Sequence, residues 1–275
     1  MSLPKFLCIG AQKAGTTWLY WQLREHPDIW MPPLKEIHFF DHMFVPEVRS
    51  WSLWHLKSGV TPIMKWHLNN IKNPNFSYLH YLTSIVEESP FTEEWYKKIF
   101  SFHAAKGKVT GDITPEYCTV GADGIDYIKS LLINPKIIYI VRDPVSRALS
   151  QLKMNLSRHP IDDIKGEWLK SADDPVIYQR GDYASYIPEW KKRFKPSDIL
   201  FIPYKMLRSD PISVLREVES HIGVTESKYK EPSKEIHVTK SIDVPKFIVD
   251  RLEEKMQNQR NFIEKEFGRK FSSLT

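Results

Sequence analysis

The sequence predicts an α/β fold with a central parallel sheet and flanking helices. Short apolar runs of strand length recur along the chain, and a stretch with helical spacing follows several of them. The first run also leads into a turn that contains glycine, lysine and threonine. Alternation of strands and helices is typical of parallel sheets with helices on both faces. We therefore expect all 275 residues to form a single domain.

The first predicted strand is the apolar run 5–11, which is followed by the turn 12–17. A helical pattern then ends at His26 and Pro27, because the residue before a proline disfavours the helical conformation. The order strand, small turn, helix is the arrangement that commonly receives a phosphate group.

A second predicted strand, 136–141, precedes Arg142 and another helix that reaches about Leu156. Pro144 lies where the first turn of that helix tolerates a proline. The run 198–203 predicts a third strand, followed by a helical stretch to about Ile222. Residues 109–113 predict a fourth strand.

The remaining segments have less regular patterns. The C-terminal stretch 245–270 predicts a helix, because its apolar side chains share one stripe: Ile248, Leu252, Met256, Ile263 and Phe267. Residues 42–106 are rich in Trp, His and Asn without a clear period, and we expect a helical insertion on the substrate side.

Composition limits the functional class. Hydrophobic residues make up 41% and charged residues 27%, which excludes an integral membrane protein and a disordered chain. The net charge of +5 suits an anionic ligand but is too small for a protein that coats nucleic acid. No signal-peptide core or 18-residue apolar run occurs, so we expect a cytoplasmic location. Cys8 and Cys118 are far apart, and no His or Cys has metal-ligand spacing, so we expect neither a disulfide nor a bound metal.

The turn after the first strand predicts a phosphate site. Gly10 and Gly15 have the spacing of a Walker A loop, but Thr16 stands at the position of the loop lysine, and the lysine is Lys13. Glycines allow the backbone to approach an anion, and the N-terminus of the next helix adds partial positive charge. A turn between strand and helix that binds no ligand is the structural alternative.

The end of the second strand predicts another anion site. Arg142 occupies the position at which a Walker B strand would have an acidic residue for magnesium. Its planar guanidinium suits a phosphate, and Ser150 lies two turns into the next helix, where it can donate to the same group. Alternatively, Arg142 only pairs with Asp143 or another carboxylate.

These segments resemble the sulfotransferases that use 3′-phosphoadenosine 5′-phosphosulfate (PAPS), and most closely the heparan-sulfate-type and related bacterial branch. The matching segments are 12–19, 35–41, 111–117, 140–150 and 181–224. The resemblance implies a P-loop-like sulfotransferase fold and an enzyme that transfers a sulfuryl group from PAPS to a hydroxyl or amine. The acceptor would be a saccharide or a small metabolite, the product PAP, and no metal, nucleic acid or membrane span would be involved.

The resemblance also assigns roles to residues. It implies that the 5′-phosphosulfate is bound by Lys13, Ala14, Gly15, Thr16 and Thr17, and the 3′-phosphate by Arg142 and Ser150. Lys13 would also meet the charge that develops on the leaving group. Trp18 matches a tryptophan that packs against adenine in cytosolic members, although burial in the first helix explains it equally well.

Two assignments are less direct. Glu36 matches the general base of the branch, and His38 is a competing base because the pKa of histidine is naturally near neutrality. The Lys-Gly-Arg cofactor loop of the branch, with its flanking cysteines, has no counterpart in 233–240, where Lys240 is expected to supply a cofactor charge.

Two other functions remain open. A P-loop kinase or NTPase also needs a strand, a glycine loop and a helix, but it predicts a loop lysine at position 16 and an acidic metal ligand at position 142. A non-catalytic protein that binds polyanions would use the positive net charge, but the basic residues are scattered apart from the short cluster 191–193.

Overall fold

A parallel sheet forms the centre of the molecule. The computed structural model describes residues 3–87, 89–159, 165–234 and 242–275. Within them one five-stranded sheet has the order β2-β3-β1-β4-β5, and every pairing is parallel. The strands are β1 (Phe6–Gly10), β2 (Ile29–Trp30), β3 (Val109–Ile113), β4 (Lys136–Val141) and β5 (Ile199–Pro203). The α/β class and the four predicted strands are confirmed, whereas β2 is too short to leave a pattern in the sequence.

Helices cover the sheet and extend beyond it. They are α1 (Thr16–Glu25), α2 (Phe39–Phe44), α3 (Ser52–Asn70), α4 (Phe76–Glu87), α5 (Glu93–Ile99), α6 (Gly121–Leu132), α7 (Pro144–Arg158), α8 (Lys165–Ala172), α9 (Pro175–Gln179), α10 (Tyr183–Arg193), α11 (Met206–Ser209), α12 (Pro211–Ile222) and α13 (Lys246–Ser273). Short 3-10 turns occur at Pro46–Ser50, His103–Ala105, Pro115–Thr119 and Pro196–Asp198. None of the helices in these described ranges is both long and apolar enough to cross a bilayer.

Apolar packing positions the sheet. Every residue of β1 is buried, as expected for the central strand of a sheet that helices cover. The ring of Phe6 lies directly over Gly111 on β3, where a Cβ would come within 2.0 Å of it. A glycine at this position therefore allows β1 and β3 to pair while the phenylalanine stays in the core.

The helices of the stretch 42–106 join the same core. Leu56 and Val60 of α3 and Leu82 of α4 are buried in the main apolar cluster. At the other end of the chain, Ile248 and Leu252 of α13 are buried against α7 in a second cluster. The predicted C-terminal helix lies within α13, which is interrupted at Gly268, where φ is 83°.

The strand order brings three loops to one edge of the sheet. The neighbours of β1 are β3 on one side and β4 on the other, so the loops after these strands leave the same edge. The Ala11 N–H donates to the Ile140 carbonyl at 2.8 Å, and the Thr114 N–H donates to the Cys8 carbonyl at 3.1 Å. Ligands of open α/β sheets bind at this kind of switch point.

Candidate active site

A cleft of about 870 Å³ opens where β1, β3 and β4 end. It brings together most of the site residues predicted from the sequence: Lys13, Gly15, Thr16, Thr17, Trp18, Glu36, His38, Arg142 and Ser150. Ala14 does not line the cleft, because its side chain is fully buried in the core and its N–H donates to the Ala11 carbonyl at 3.1 Å. Lys240 lies outside the described residues. The ligands assigned to these residues remain predictions.

The loop between β1 and α1 has the backbone of an anion site. Gly15 precedes the helix with φ of 84°, a left-handed conformation that favours glycine. A Cβ at this position would also lie 2.5 Å from Cδ2 of Leu207, so the turn has no room for a side chain. The first N–H groups of α1 have no acceptor within the helix and are available at the cleft.

Positive charges meet next to this loop. Lys13 and Arg142 line the cleft together with Arg158 at the end of α7. Burial lowers the pKa of Lys13, and the nearby charges of Arg142 and Arg158 lower it further. The nearest polar contact of the ammonium is weak, with the Met154 Sδ atom at 3.5 Å. A bound anion would relieve this repulsion.

The neighbours of Arg142 bear on the ion-pair alternative that the sequence leaves open. Asp143 does not pair with it, because this carboxylate accepts Nε of Arg260 at 2.6 Å and the Ser146 N–H at 2.8 Å. Within the described parts of the chain, no carboxylate forms an ion pair with Arg142. Its Nη1 donates to the Lys13 carbonyl at 2.5 Å, and its guanidinium stacks 4.4 Å from the Tyr204 ring.

Arg142 also keeps one donor unused. Its Nε is buried and has no partner among the residues that the structure describes. Burial lowers the pKa of the guanidinium, which indicates a cation held in place with little solvation. Ser150, on the following helix, lines the same cleft. This side of the cleft thus offers a buried cation and a hydroxyl, both of which can donate hydrogen bonds to an anionic ligand.

Trp18 connects α1 with a distant part of the chain. Its indole Nε1 donates to the Pro232 carbonyl at 2.7 Å, and Gln22 donates to the Glu231 carbonyl at 3.3 Å. The ring is 7% exposed and lines the cleft, so burial in α1 and contact with a ligand are both compatible with its position.

Glu36 lines the same cleft from the segment that precedes α2. Its carboxylate pairs with the Lys35 ammonium through Oε1, and its Oε2 lies 3.9 Å from Nε2 of His38. Burial alone would raise the pKa of Glu36, but the charges of Lys35 and His38 lower it to about 2. The side chain remains 27% exposed, so the ionised carboxylate is accessible from the cleft.

His38 has a partner on each side. Its Nδ1 lies 2.6 Å from Oδ2 of the fully buried Asp41. Burial lowers the pKa of His38, but the carboxylates of Asp41, Glu116 and Glu36, with Asp41 the strongest of the three, more than compensate and raise it to about 9. A raised pKa favours the imidazolium near neutral pH, and that form has no lone pair with which to accept a proton. These shifts favour Glu36 over His38 as the proton acceptor, and the identity of the base stays a prediction.

Backbone contacts hold this segment on the end of β3. The Glu36 N–H donates to the Ile113 carbonyl at 3.2 Å, and the Ile37 N–H donates to the Thr114 hydroxyl at 3.1 Å. The Phe39 N–H donates to the hydroxyl of Tyr117 at 3.1 Å. Glu36 and His38 both have positive φ values, which the surrounding contacts must therefore maintain.

A buried carboxylate organises those contacts. Asp112 accepts the hydroxyls of Thr114 at 2.8 Å, Tyr117 at 2.7 Å and Tyr96 at 2.9 Å. Burial raises the pKa of Asp112 to about 6, although the three donors oppose the shift. Asp112 thus orients the two hydroxyls that receive the N–H groups of the Glu36 segment.

The cleft also contains residues that the sequence analysis does not assign. Glu116 accepts a hydrogen bond from Nε2 of Gln12 at 3.1 Å and forms an ion pair with Nη2 of Arg180 at 3.2 Å, while its Oε2 is buried without a partner in the described ranges. Its place just after β3, at the switch point of the sheet, is the signal that identifies it. His55 and Trp54 of α3 leave no comparable signal, because only the tertiary fold brings them to the cleft.

Three side chains that could bind a metal ion lie closer together than their sequence positions indicate. Glu36, His38 and His55 offer ligand atoms that all lie within 4.8 Å of one another. The expectation of no metal rests on linear spacing, and His55 is 17 residues after His38, outside any common ligand motif.

Known proteins resemble this chain in sequence. The family model described as "Sulfotransferase family" matches residues 4–228. Heparan sulfate glucosamine 3-O-sulfotransferase 3B1 of Mus musculus is 27% identical over 229 residues, which cover 81% of this chain and 46% of that protein. The bifunctional heparan sulfate N-deacetylase/N-sulfotransferase 4 of Mus musculus is 28% identical over 237 residues, which cover 81% and 22%. The chain spans at most about half the length of these curated relatives.

Solved structures resemble it in fold. A sulfotransferase from Alicyclobacillus acidocaldarius superposes with a TM-score of 0.65 at 20% identity, covering 98% of this chain and 97% of that one. Mouse sulfotransferase SULT7A1, solved in complex with PAP, has a TM-score of 0.53 at 13% identity and covers 100% and 90%. With the match to residues 4–228, these findings establish that the chain belongs to the sulfotransferase family.

Proposed function

We propose that this chain transfers a sulfuryl group from PAPS to a hydroxyl or amine of a saccharide. In this reaction the acceptor atom forms a bond to sulfur, the bond between sulfur and the 5′-phosphate oxygen breaks, and the acceptor loses one proton. PAPS supplies the activated sulfuryl group and leaves as PAP. The observation that carries the proposal is that one cleft holds both the cations Lys13 and Arg142 and the carboxylate of Glu36, whose pKa is lowered.

The cationic wall suits the two phosphate-bearing ends of PAPS. Lys13 and the N–H groups at the start of α1 would hold the 5′-phosphosulfate. The turn between them needs a glycine at position 15, because its φ is positive and a Cβ there would contact Leu207. Arg142, with its unpartnered buried Nε, and Ser150 would hold the 3′-phosphate. Lys13 would stabilise the negative charge that develops on the leaving phosphate. The complex of the mouse relative with PAP supports the same ligand class here.

Glu36 would accept the proton of the acceptor. His38, fixed by Asp41, is a cation whose role would be to orient Glu36 and the acceptor. The contact between Lys35 and Glu36 keeps the carboxylate a weak base. An acceptor hydroxyl that displaces Lys35 from Oε1 would raise the pKa of Glu36 toward its ordinary value and strengthen the base at the moment of transfer.

Aromatic side chains beside Glu36 suit a saccharide. Trp51 and Trp54 line the cleft on the same side, and Trp54 is 70% exposed. An exposed tryptophan at a cleft mouth offers a flat apolar face against which a sugar ring can stack. The heparan sulfate relatives favour the same acceptor class.

The direct test is product formation. The purified chain is incubated with PAPS and a panel of heparan-type oligosaccharides, and PAP release and sulfated product are measured together. We expect equimolar PAP and sulfated saccharide. PAP release without a sulfated product, or phosphate transfer from ATP under the same conditions, would contradict the proposal.

A binding experiment separates the proposal from the open alternatives. PAP should bind at micromolar concentration or below, and much more tightly than ATP or inorganic phosphate. A P-loop kinase would instead need magnesium and prefer ATP. A non-catalytic polyanion-binding protein would not distinguish PAP from inorganic phosphate.

A further inference from the structure

A cluster of three side chains that includes the proposed base has the composition of a transition-metal site. Glu36 and His38 come from the segment that precedes α2, and His55 comes from the first turns of α3. The ring centroids of His38 and His55 are 4.7 Å apart, and the rings meet edge to face. One ligand atom from each of the three residues lies within 4.8 Å of the others.

The hydrogen bonds of the two histidines leave ligand atoms free. Nδ1 of His38 is bound to Asp41 at 2.6 Å, so its Nε2 faces Glu36, 3.9 Å from Oε2. A carboxylate behind a histidine in this way is the usual second partner of a metal-binding imidazole. Nε2 of His55 has only a 3.5 Å contact with the Lys35 carbonyl, which is too long to hold the ring strongly.

We propose that Glu36, His38 and His55 bind one divalent transition-metal ion of the zinc class. Two imidazole nitrogens and one carboxylate oxygen form the ligand set of open zinc sites, in which water takes the fourth position. Ligand atoms around tetrahedral zinc lie about 3.3 Å apart, so small side-chain rotations would complete the site. The metal displaces the Lys35 ammonium from Glu36 and the proton from Nε2 of His38.

Occupancy of this site has a functional consequence that rests on the proposed function. A carboxylate that coordinates a metal cannot accept the proton of an acceptor hydroxyl. Zinc therefore inhibits sulfuryl transfer by occupying the base, while the cationic wall at Lys13 and Arg142 stays free to bind PAP. Inhibition is competitive with the acceptor and not with PAPS.

The first experiment measures binding without any substrate. The full chain, free of a polyhistidine tag, is titrated with zinc chloride in a calorimeter and with cobalt chloride in a spectrophotometer. We expect one zinc per chain at micromolar affinity, and a cobalt complex with the intense visible bands of tetrahedral coordination. His55→Ala should weaken zinc binding by at least about tenfold, and Asp41→Asn by about 10–100-fold.

The matched control is His80→Ala, which removes an exposed histidine from α4 and should leave zinc affinity unchanged. His55→Gln is a second variant in case the alanine disturbs the fold, which circular dichroism would reveal. Equal zinc affinity of the wild type and both His55 variants, or absence of zinc and cobalt binding to the wild type, would overturn the proposal.

The second experiment adds zinc to the transfer assay. The zinc concentration for half-inhibition should rise in His55→Ala in parallel with the binding constant, when each rate is normalised to the rate of the same variant without zinc. Zinc binding without inhibition in an active preparation would overturn the inhibitory role but leave the proposed function intact. Calorimetry reads the metal site even if no transfer activity is found, so the two proposals fail separately.

Discussion

The two walls of the cleft are built in different ways. The phosphate wall consists of turns that directly continue strands: 11–15 after β1 and Arg142 after β4. The base wall is a segment without regular structure between β2 and α2, held by hydrogen bonds from Glu36, Ile37 and Phe39 to residues of the segment 113–117. In the first wall each turn continues its own strand, and the Arg142 contact with the Lys13 carbonyl joins the two turns. The base wall has no such strand and is held by contacts between residues about 77 positions apart.

The walls also differ in how their charges are balanced. Lys13 and Arg142 have no carboxylate in ion-pair contact within the parts of the chain that the structure describes, and burial lowers the pKa of both. On the base wall Lys35, Glu36, His38 and Asp41 form a row of alternating charge. The first wall therefore carries unpaired positive charge that suits an anionic ligand, whereas the charges of the second wall balance one another. The comparison predicts that changes on one wall affect binding and changes on the other affect turnover.

The largest expected effect concerns Glu36. Glu36→Gln keeps the size of the side chain but cannot accept a proton, so kcat should fall by about 10²–10⁴-fold. The Kd for PAP should hardly change, because the phosphates are assigned to the phosphate wall. Steady-state kinetics and calorimetry provide the two measurements. A near-normal rate for this variant with an inactive His38→Ala would transfer the role of base to His38.

The charge row should make stability depend on pH. The pKa of His38 is raised to about 9 from an ordinary 6.5, so its stabilising effect is fully present below pH 6.5 and is lost as the pH rises through 9. The loss amounts to at most roughly 3 kcal/mol. Urea unfolding between pH 6 and 10 measures it. Asp41→Asn should flatten this slope, and an equal slope in both proteins would show that other groups cause it.

The next effect concerns Arg142. Arg142→Ala should weaken PAP binding by about 1.5–3 kcal/mol, the range for hydrogen bonds that involve a charge. Adenosine 5′-phosphosulfate, which lacks the 3′-phosphate, should lose much less affinity. Arg142→Lys is the matched control, since it keeps the charge but removes the planar fork. Equal losses for both ligands would indicate that Arg142 is structural.

The smallest effect concerns Trp18. Trp18→Phe removes the hydrogen bond to the Pro232 carbonyl and should lower the free energy of unfolding by about 1 kcal/mol. PAP affinity should fall by less than about tenfold. Trp54→Phe, at an exposed position on the acceptor side, should leave PAP affinity and stability unchanged. Equal PAP affinity in Trp18→Phe and Trp54→Phe would show that the indole of Trp18 adds nothing to nucleotide binding beyond what a phenyl ring provides.

The same difference between the walls explains which parts of the site could be predicted from the sequence. Each of the strands β1 and β4 forms a contiguous pattern with the turn after it. Local rules therefore predict the positions of these strands and the helix start at Pro144. The placement of Lys13 and Arg142 in one cleft follows because both residues come just after strands of one parallel sheet. The convergence of His55 with Glu36 does not, because it depends on how α3 packs. The resemblance alone favours Glu36 over His38 as the base, and the sequence gives no sign of the buried contact with Asp41 that raises the pKa of the imidazole.

The hydroxyl of Tyr96 has a consequence for protein engineering. It belongs to α5, within the stretch 42–106, and donates to Asp112 on β3. In a chimera, the stretch 42–106 is replaced by that of another family member. The hydrogen bond between this stretch and Asp112 would be kept only if the residue at position 96 still has a hydrogen-bond donor. Without it, a buried carboxylate loses one of three donors, at a cost of about 1–3 kcal/mol. Tyr96 should therefore be kept when this stretch is exchanged.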